Sequence, residues 1–280
     1  MNMWVSHIGS GKHLSKKPRV KGKTLSIYLR AAADISRVFD PLRRDPRMDG
    51  DRIHPDLARR LANHGRLDTM PSRVNPYTLA MHTLLVADAA TAPVDGLTHA
   101  MASWLGAALM GGNRRIEWAQ PQSYRELGIY QRNPFNECYA FTLKDVCFYT
   151  ANRRPISTEL AIIHRADVAR VSIKYRWQKN KVHGEVKQYT VNTATPECCA
   201  VASYLDICAR WKRLQGQPGA PLAIYRSSRG TVAHITEADV SQTIRGLASR
   251  ALGITDPAEL QRWTSHSVRV GACVILWSHG

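Results

Sequence analysis

One segment alternates apolar and polar residues while the chain on both sides has helical spacing, and this contrast constrains the fold more than any other feature. The apolar positions of the segment are Val168, Val171, Ile173, Tyr175, Trp177, Val186, Tyr189 and Val191. A polar turn rich in Lys, Asn and Gly separates the first five from the last three. Alternation predicts half-buried strands, and two strands around a polar turn predict a β-hairpin.

Helical spacing predicts helices before and after this hairpin. They are expected from Leu25 to about Phe39 with Thr24 as N-cap, from Pro55 to about Asn63, from Pro76 through Leu79, Leu84, Leu85 and Ala89, from Thr98 to Met110 with an end at Gly111-Gly112, from Pro196 through Trp211, from a Thr236 cap through Leu247, and across the final apolar run to Trp277. The sequence therefore predicts an α+β fold that is mostly helical and has a small antiparallel sheet.

The charge of the chain favours a polyanionic partner. Its formal net charge is +17 and its pI is about 10.0. Residues 1–73 hold 16 Lys and Arg against 7 Asp and Glu, a net charge of +9. Lys and Arg gain affinity by displacing counterions from phosphates. Residues 1–23 are rich in Gly, Ser and Lys, and we expect a basic flexible arm that serves as an import signal, a DNA-touching tail or a solvated tail.

The cysteines and the apolar runs point away from metal and membrane functions. Six cysteines, at positions 138, 147, 198, 199, 208 and 273, form no C-x-x-C pair and fit no zinc ligand set. We expect reduced, structural thiols in an intracellular protein. The apolar runs are shorter than the roughly 18 residues needed to span a bilayer. The run from Ala100 to Met110 predicts a buried helix, and no membrane partner is expected.

The pattern H-x-x-R-x-G-A begins at His266, near the end of the chain. Positions three apart lie on one face of a helix, so His266 and Arg269 are predicted to point at one target. Val268, Ala272 and Ile275 are predicted to face a core. A guanidinium is a rigid fork of donors that suits a phosphate, and an imidazole beside it can donate a hydrogen bond or move a proton. The pair suits phosphodiester chemistry.

Two earlier segments complete a larger pattern. Residues 112–117 have the sequence G-N-R-R-I-E and follow the apolar helix, and residues 178–184, Q-K-N-K-V-H-G, form the hairpin turn. Together with the H-x-x-R box, and in this order, the segments resemble the active-site boxes of the tyrosine recombinases, the phage-integrase-like enzymes that break and rejoin DNA. The resemblance spans about residues 72–280.

The resemblance implies an integrase-type catalytic domain over residues 71–280, preceded by a partial helical DNA-binding domain over residues 24–70. The catalytic residues that it implies are Arg114, Lys179, His266 and Arg269. Glu117 sets the register that selects Arg114, and Arg115 is the alternative. Lys179 follows the first strand of the hairpin directly, and Lys181 is the alternative.

The chemistry of the family explains these residue types. Two arginines neutralise charge on the non-bridging oxygens of the attacked phosphate. A lysine on the hairpin protonates the leaving 5′-oxygen, and the histidine assists proton transfer or holds the phosphate. A tyrosine attacks to give a 3′-phosphotyrosine link. The resemblance implies no metal or cofactor. It implies double-stranded DNA as the partner, self-association on DNA, and a DNA-associated location in a prokaryotic cytoplasm or a eukaryotic nucleus.

The chain departs from the family pattern after Arg269. It ends eleven residues later and its last tyrosine is Tyr225, whereas the family places a second His or Trp and the nucleophilic Tyr after this box. We therefore expect a fragment, or a truncated relative from a mobile element, that is inactive for covalent cleavage on its own. The competing interpretations are a non-catalytic DNA-binding remnant and an unrelated basic α+β protein that binds RNA.

Overall fold

The computed structural model describes residues 22–39, 45, 47–49, 52–66, 74–119, 140–176 and 183–279. The chain divides into two compact units, one within Met1–Ser72 and the other within Arg73–Gly280. Two predicted features lie outside the described residues: the basic arm up to residue 21, and the part of the hairpin turn that carries Lys179 and Lys181.

The first unit contains two helices and a minimal hairpin. Helix α1 spans Gly22–Phe39, strands β1 (Met48–Asp49) and β2 (Arg52–Ile53) pair antiparallel, and helix α2 spans Pro55–Arg66. The buried side chains of Leu25, Leu29 and Leu57 form a small cluster between the helices. The predicted N-cap at Thr24 is wrong, because the helix already begins at Gly22. The first turn of a helix does not need to contact the core, so this helix starts three residues before Leu25, its first buried leucine.

The second unit is built around one helix that is buried on nearly every side. Helix α4 (Leu97–Gly111) packs against α3 (Leu79–Thr91), α6 (Ala200–Arg213) and α9 (Ser267–His279). Its buried side chains include Ala100, Met101, Trp104, Leu105, Ala107, Ala108 and Leu109. A helix that is apolar all round belongs in a core, as predicted for this segment. The predicted end is also confirmed, because Gly112 is a left-handed C-cap with φ of 59°.

A four-stranded antiparallel sheet lies against this helical core. Its order is β4 (Pro155–Ile156), β3 (Val146–Tyr149), β5 (Arg170–Tyr175) and β6 (Glu185–Thr190). Strands β5 and β6 pair in register from Arg170 with Thr190 to Tyr175 with Glu185, which confirms the predicted hairpin. The face that packs on the core carries Val146, Phe148, Val171, Ile173 and Tyr175. Strands β3 and β4 are too short to show alternation and were not predicted.

Several shorter elements complete the second unit. Helix α5 (Thr158–Ile163) follows β4, and strands β7 (Ile224–Arg226) and β8 (Val232–His234) form a second hairpin, where the sequence showed only an apolar run. Helix α7 (Glu237–Leu252) begins after the predicted Thr236 cap, and α8 (Pro257–Leu260) leads into α9. The fold is α+β and predominantly helical, as predicted. Among the described helices, none has the length and apolar character required to cross a membrane.

Candidate functional site

Arg114 lies in a tight turn directly after the central helix. It is the N-cap residue of a 3₁₀ turn over Arg115–Glu117. Its backbone N–H donates to Oε2 of Glu117 at 2.6 Å, and its guanidinium Nη1 lies 3.3 Å from Oε1 of the same carboxylate. Glu117 is buried, whereas 27% of the Arg114 side chain is exposed. The turn therefore holds a partly exposed guanidinium against a buried carboxylate.

The charge of Arg269, near the end of the sequence, acts on the same carboxylate. Arg269 lies in the first turn of α9 and is partly buried. Burial raises the pKa of Glu117 above its ordinary value, while the Arg114 N–H, the Arg114 charge and the Arg269 charge act to lower that pKa. Charges interact more strongly in a partly buried site than in bulk water. The charges of Arg114 and Arg269 thus both act on Glu117, although 155 positions separate the two arginines in the sequence.

His266 is exposed and lies just before α9, so the prediction that it belongs to the helix is wrong. Its carbonyl oxygen accepts the N–H of Arg269 at 3.1 Å. The N–H of Thr264 donates to the hydroxyl of Ser267 at 3.0 Å, and the N–H of His266 donates to the hydroxyl of Thr264 at 3.2 Å. These local side-chain bonds hold a turn and delay the helix to Ser267. The predicted core face of α9 is confirmed, since Val268 and Ala272 are buried and Ile275 is partly buried.

Arg115, the alternative to Arg114, has a different partner. Its guanidinium forms an ion pair with Oε1 of Glu237, the first residue of α7. Burial lowers the pKa of Arg115. The same Glu237 oxygen accepts the hydroxyl of Ser265 at 3.4 Å, and the N–H of Ser265 donates to the hydroxyl of Ser241 at 3.1 Å. Arg115 thus connects its turn to α7 and to the residue before His266, while Arg114 pairs with Glu117.

An extended segment before α3 holds the start of α9 in place, which sequence spacing did not reveal. The N–H of Asn75 donates to the carbonyl of Arg262 at 3.0 Å, and the N–H of Tyr77 donates to the carbonyl of Ser267 at 2.9 Å. A Cβ added at Gly271 would lie 3.0 Å from the carbonyl carbon of Tyr77 and would overlap its oxygen. The glycine of the H-x-x-R-x-G-A box is therefore required by close packing. These contacts join distant positions, so no local pattern signals them.

On either side of the lysine turn, the structure describes the chain up to Arg176 and again from His183. Strand β5 ends at Tyr175, and the next residue, Arg176, lies 2.7 Å from the buried carboxylate of Asp145 through its Nε. Asp145 also accepts the N–H of Thr142 at 2.7 Å, so it joins the end of β5 to the turn before β3. The positions of Lys179 and Lys181 lie outside the described residues.

The described part of the chain contains no group of three or more His, Cys, Asp or Glu side chains placed to hold a metal ion. A scan of the sequence against protein-family models gives no match, and a search of curated proteins also gives none.

Proposed function

We propose that this protein binds duplex DNA and that Arg114, His266 and Arg269 hold one backbone phosphate for breaking and rejoining, in the manner of a tyrosine recombinase. The observation that carries the proposal is that two arginines from distant segments place positive charge near the buried carboxylate of Glu117: Arg114 forms an ion pair with it, and the charge of Arg269 acts on it. Two arginines around one carboxylate leave a local excess of positive charge, and that excess suits an anion.

The electrostatics of this arrangement match the needs of phosphoryl transfer. Glu117 forms an ion pair with Arg114 and reduces the repulsion between the two positive charges near it. A phosphate that is attacked gains charge on its non-bridging oxygens, and donors that are already oriented stabilise that charge without reorganisation. His266 is exposed one turn before Arg269, where an imidazole can hold the phosphate or move a proton. Lys179, with Lys181 as the alternative, is proposed as the general acid.

The charge of the whole chain supports the choice of DNA. The net charge of +17 is far from balanced, and residues 1–23 contain six Lys and Arg and no Asp or Glu. We propose that this segment and the helical unit with α1 and α2 contact the duplex backbone. Such contacts act at any sequence, so they supply affinity while the arginine pair positions one phosphate. Self-association on DNA and a location on DNA in the cell belong to the same proposal.

The proposed DNA binding is tested by the affinity for a short duplex measured across a salt series. We expect the logarithm of the binding constant to fall linearly as the logarithm of the salt concentration rises. Deleting residues 1–23 removes six positive charges and should weaken binding and flatten this slope. A single-stranded RNA of equal length is the comparison, and duplex DNA should bind more tightly. Binding that ignores salt, or a preference for the RNA, would contradict the proposal.

A further inference from the structure

The residue next to Arg114 is a buried amide that lies between two buried phenols. Asn113 is 3% exposed. Its Oδ1 accepts a hydrogen bond from the hydroxyl of Tyr175, and its Nδ2 donates to the hydroxyl of Tyr204 at 3.1 Å. Tyr175 belongs to β5 and Tyr204 to α6. Asn113 thus connects three elements that are distant in the sequence.

The two phenols are held firmly by their neighbours. The ring of Tyr175 packs edge-on against Phe141 with centroids 5.2 Å apart, and Tyr204 packs edge-on against Trp104 at 6.3 Å. Burial raises the pKa of both tyrosines well above the ordinary value, so both remain neutral hydroxyls. The amide therefore meets one donor and one acceptor that are fixed in place. A buried amide without such partners would cost about 1–3 kcal/mol.

The backbone passes from this amide directly to the arginine. Gly112 ends α4 in the left-handed conformation, Asn113 follows, and Arg114 has φ of −74° and ψ of 142°. Gly111 leaves room for the amide, because a Cβ there would lie 2.5 Å from Oδ1 of Asn113. The two hydrogen bonds of the Asn113 side-chain amide fix the orientation of Asn113, the residue between the C-cap Gly112 and Arg114. An apolar side chain would fill the same space but would not set that orientation.

We propose that Asn113 is a positioning residue: its amide, held between Tyr175 and Tyr204, aims the Arg114 guanidinium at the phosphate. This inference rests on the proposed function. It also extends that function, because Tyr175 is the last residue of the strand that leads into the lysine turn. The same bond therefore ties the arginine turn to the end of strand β5. Such buried networks are retained for geometry as well as for stability.

The test is a double-mutant cycle between Asn113→Leu and Arg114→Ala, with duplex DNA affinity as the readout and the unfolding temperature of each variant measured alongside. Arg114→Ala should weaken binding about tenfold to a hundredfold, the value of one charge-assisted contact. Asn113→Leu should weaken binding several-fold in the natural background and have no further effect in the Arg114→Ala background. Its loss of thermal stability should be equal in both backgrounds, since packing does not depend on the guanidinium.

Tyr175→Phe is the milder variant, because it keeps the ring against Phe141 and removes one bond to the amide. Tyr175→Phe should also weaken DNA binding in the natural background and have no further effect in the Arg114→Ala background. It replaces Asn113→Leu in the cycle if that variant does not fold. Tyr149→Phe is the matched control, because its hydroxyl contacts Ser172 at 3.2 Å on the same sheet, and it should leave affinity unchanged. An Asn113→Leu effect that is zero, or equal in both backgrounds, would overturn the positioning role. If Arg114→Ala itself had no effect, the proposed function would fail instead.

Discussion

Gly271 shows how one residue of the H-x-x-R-x-G-A box serves packing while its neighbours carry charge. The helix that bears Arg269 approaches the backbone of Tyr77 so closely that a methyl group does not fit. The contact sets the depth of α9 against the segment before α3, and with it the position of Arg269.

Gly271→Ala is expected to destabilise the protein by about 2 kcal/mol, as overpacking in a core does. Chemical denaturation measures the change as a lower midpoint at unchanged slope. Gly246→Ala is the matched control, because Gly246 lies in helix α7 and a Cβ there meets nothing within 4 Å. That variant should gain about 0.5–1 kcal/mol from helix propensity. Equal gains at the two positions would show that α9 does not press on Tyr77.

His82 gives a second prediction for a single residue. It is buried between the hydroxyl of Tyr77, 3.2 Å from Nδ1, and the carbonyl of Glu197, 2.9 Å from Nε2. Burial lowers the pKa of His82 below its ordinary value. The unfolded chain therefore binds more protons than the folded chain once the pH falls below about 6.5. The contribution of His82 to the free energy of unfolding should be fully present above that pH. It should be lost progressively as the pH falls below it.

The measurement is the free energy of unfolding across pH 5 to 8 for the natural protein and for His82→Gln, which keeps a polar side chain but removes the titrating group. The natural protein should lose stability toward pH 5 more steeply than the variant. The same substitution at the exposed His164 is the control. If His82→Gln kept the full loss at acidic pH, the buried histidine would not be its source.

At the scale of elements, the sequence predicted those ends and strands whose signals are local. The Thr236 cap, the Gly112 end of α4 and the β5–β6 hairpin each follow from a few neighbouring residues. The predicted cap at Thr24 was wrong because the helix begins at Gly22, before the first residue of its apolar face. The start of α9 was misplaced because hydroxyl groups compete for the backbone before Ser267. Strands β3 and β4 show too few residues for any period to appear.

Thr236 is the cap whose loss should affect the candidate site as well as stability. Its hydroxyl accepts the N–H of Asp239 at 3.2 Å, and Asp239 in turn accepts the N–H of Thr236 at 2.8 Å. The next residue, Glu237, pairs with Arg115. Thr236→Ala should cost about 1 kcal/mol of unfolding free energy, while Thr236→Ser should keep most of the stability. Thermal denaturation of both variants measures the difference, and an equal loss in both would rule out capping as its cause.

At the scale of the whole molecule, net charge and the order of the boxes indicated a phosphate ligand, but only the fold shows that Arg114 and Arg269 both act on one carboxylate. Arg114 follows a helix in the first half of the second unit, and Arg269 lies near its end. Sequence spacing cannot show that the charges of both act on Glu117. Nor can it show that Arg115 turns to Glu237, because each pairing depends on how α4, α7 and α9 pack. The Asn113 network escaped prediction for the same reason.

The central claim is that Arg114 and Arg269 hold the same phosphate. The most direct measurement is a double-mutant cycle of Arg114→Ala and Arg269→Ala, read as duplex DNA affinity at one fixed salt concentration. Arg165→Ala, combined with Arg269→Ala, is the control for removing positive charge, because Arg165 pairs with Asp206 on α6. If the two arginines share a phosphate, each single change should cost about 1.5–3 kcal/mol of binding. The second change should then cost at least about 1 kcal/mol less than it does alone, while the control pair is additive. Additive losses for Arg114 and Arg269, or no loss from either, would contradict the shared phosphate.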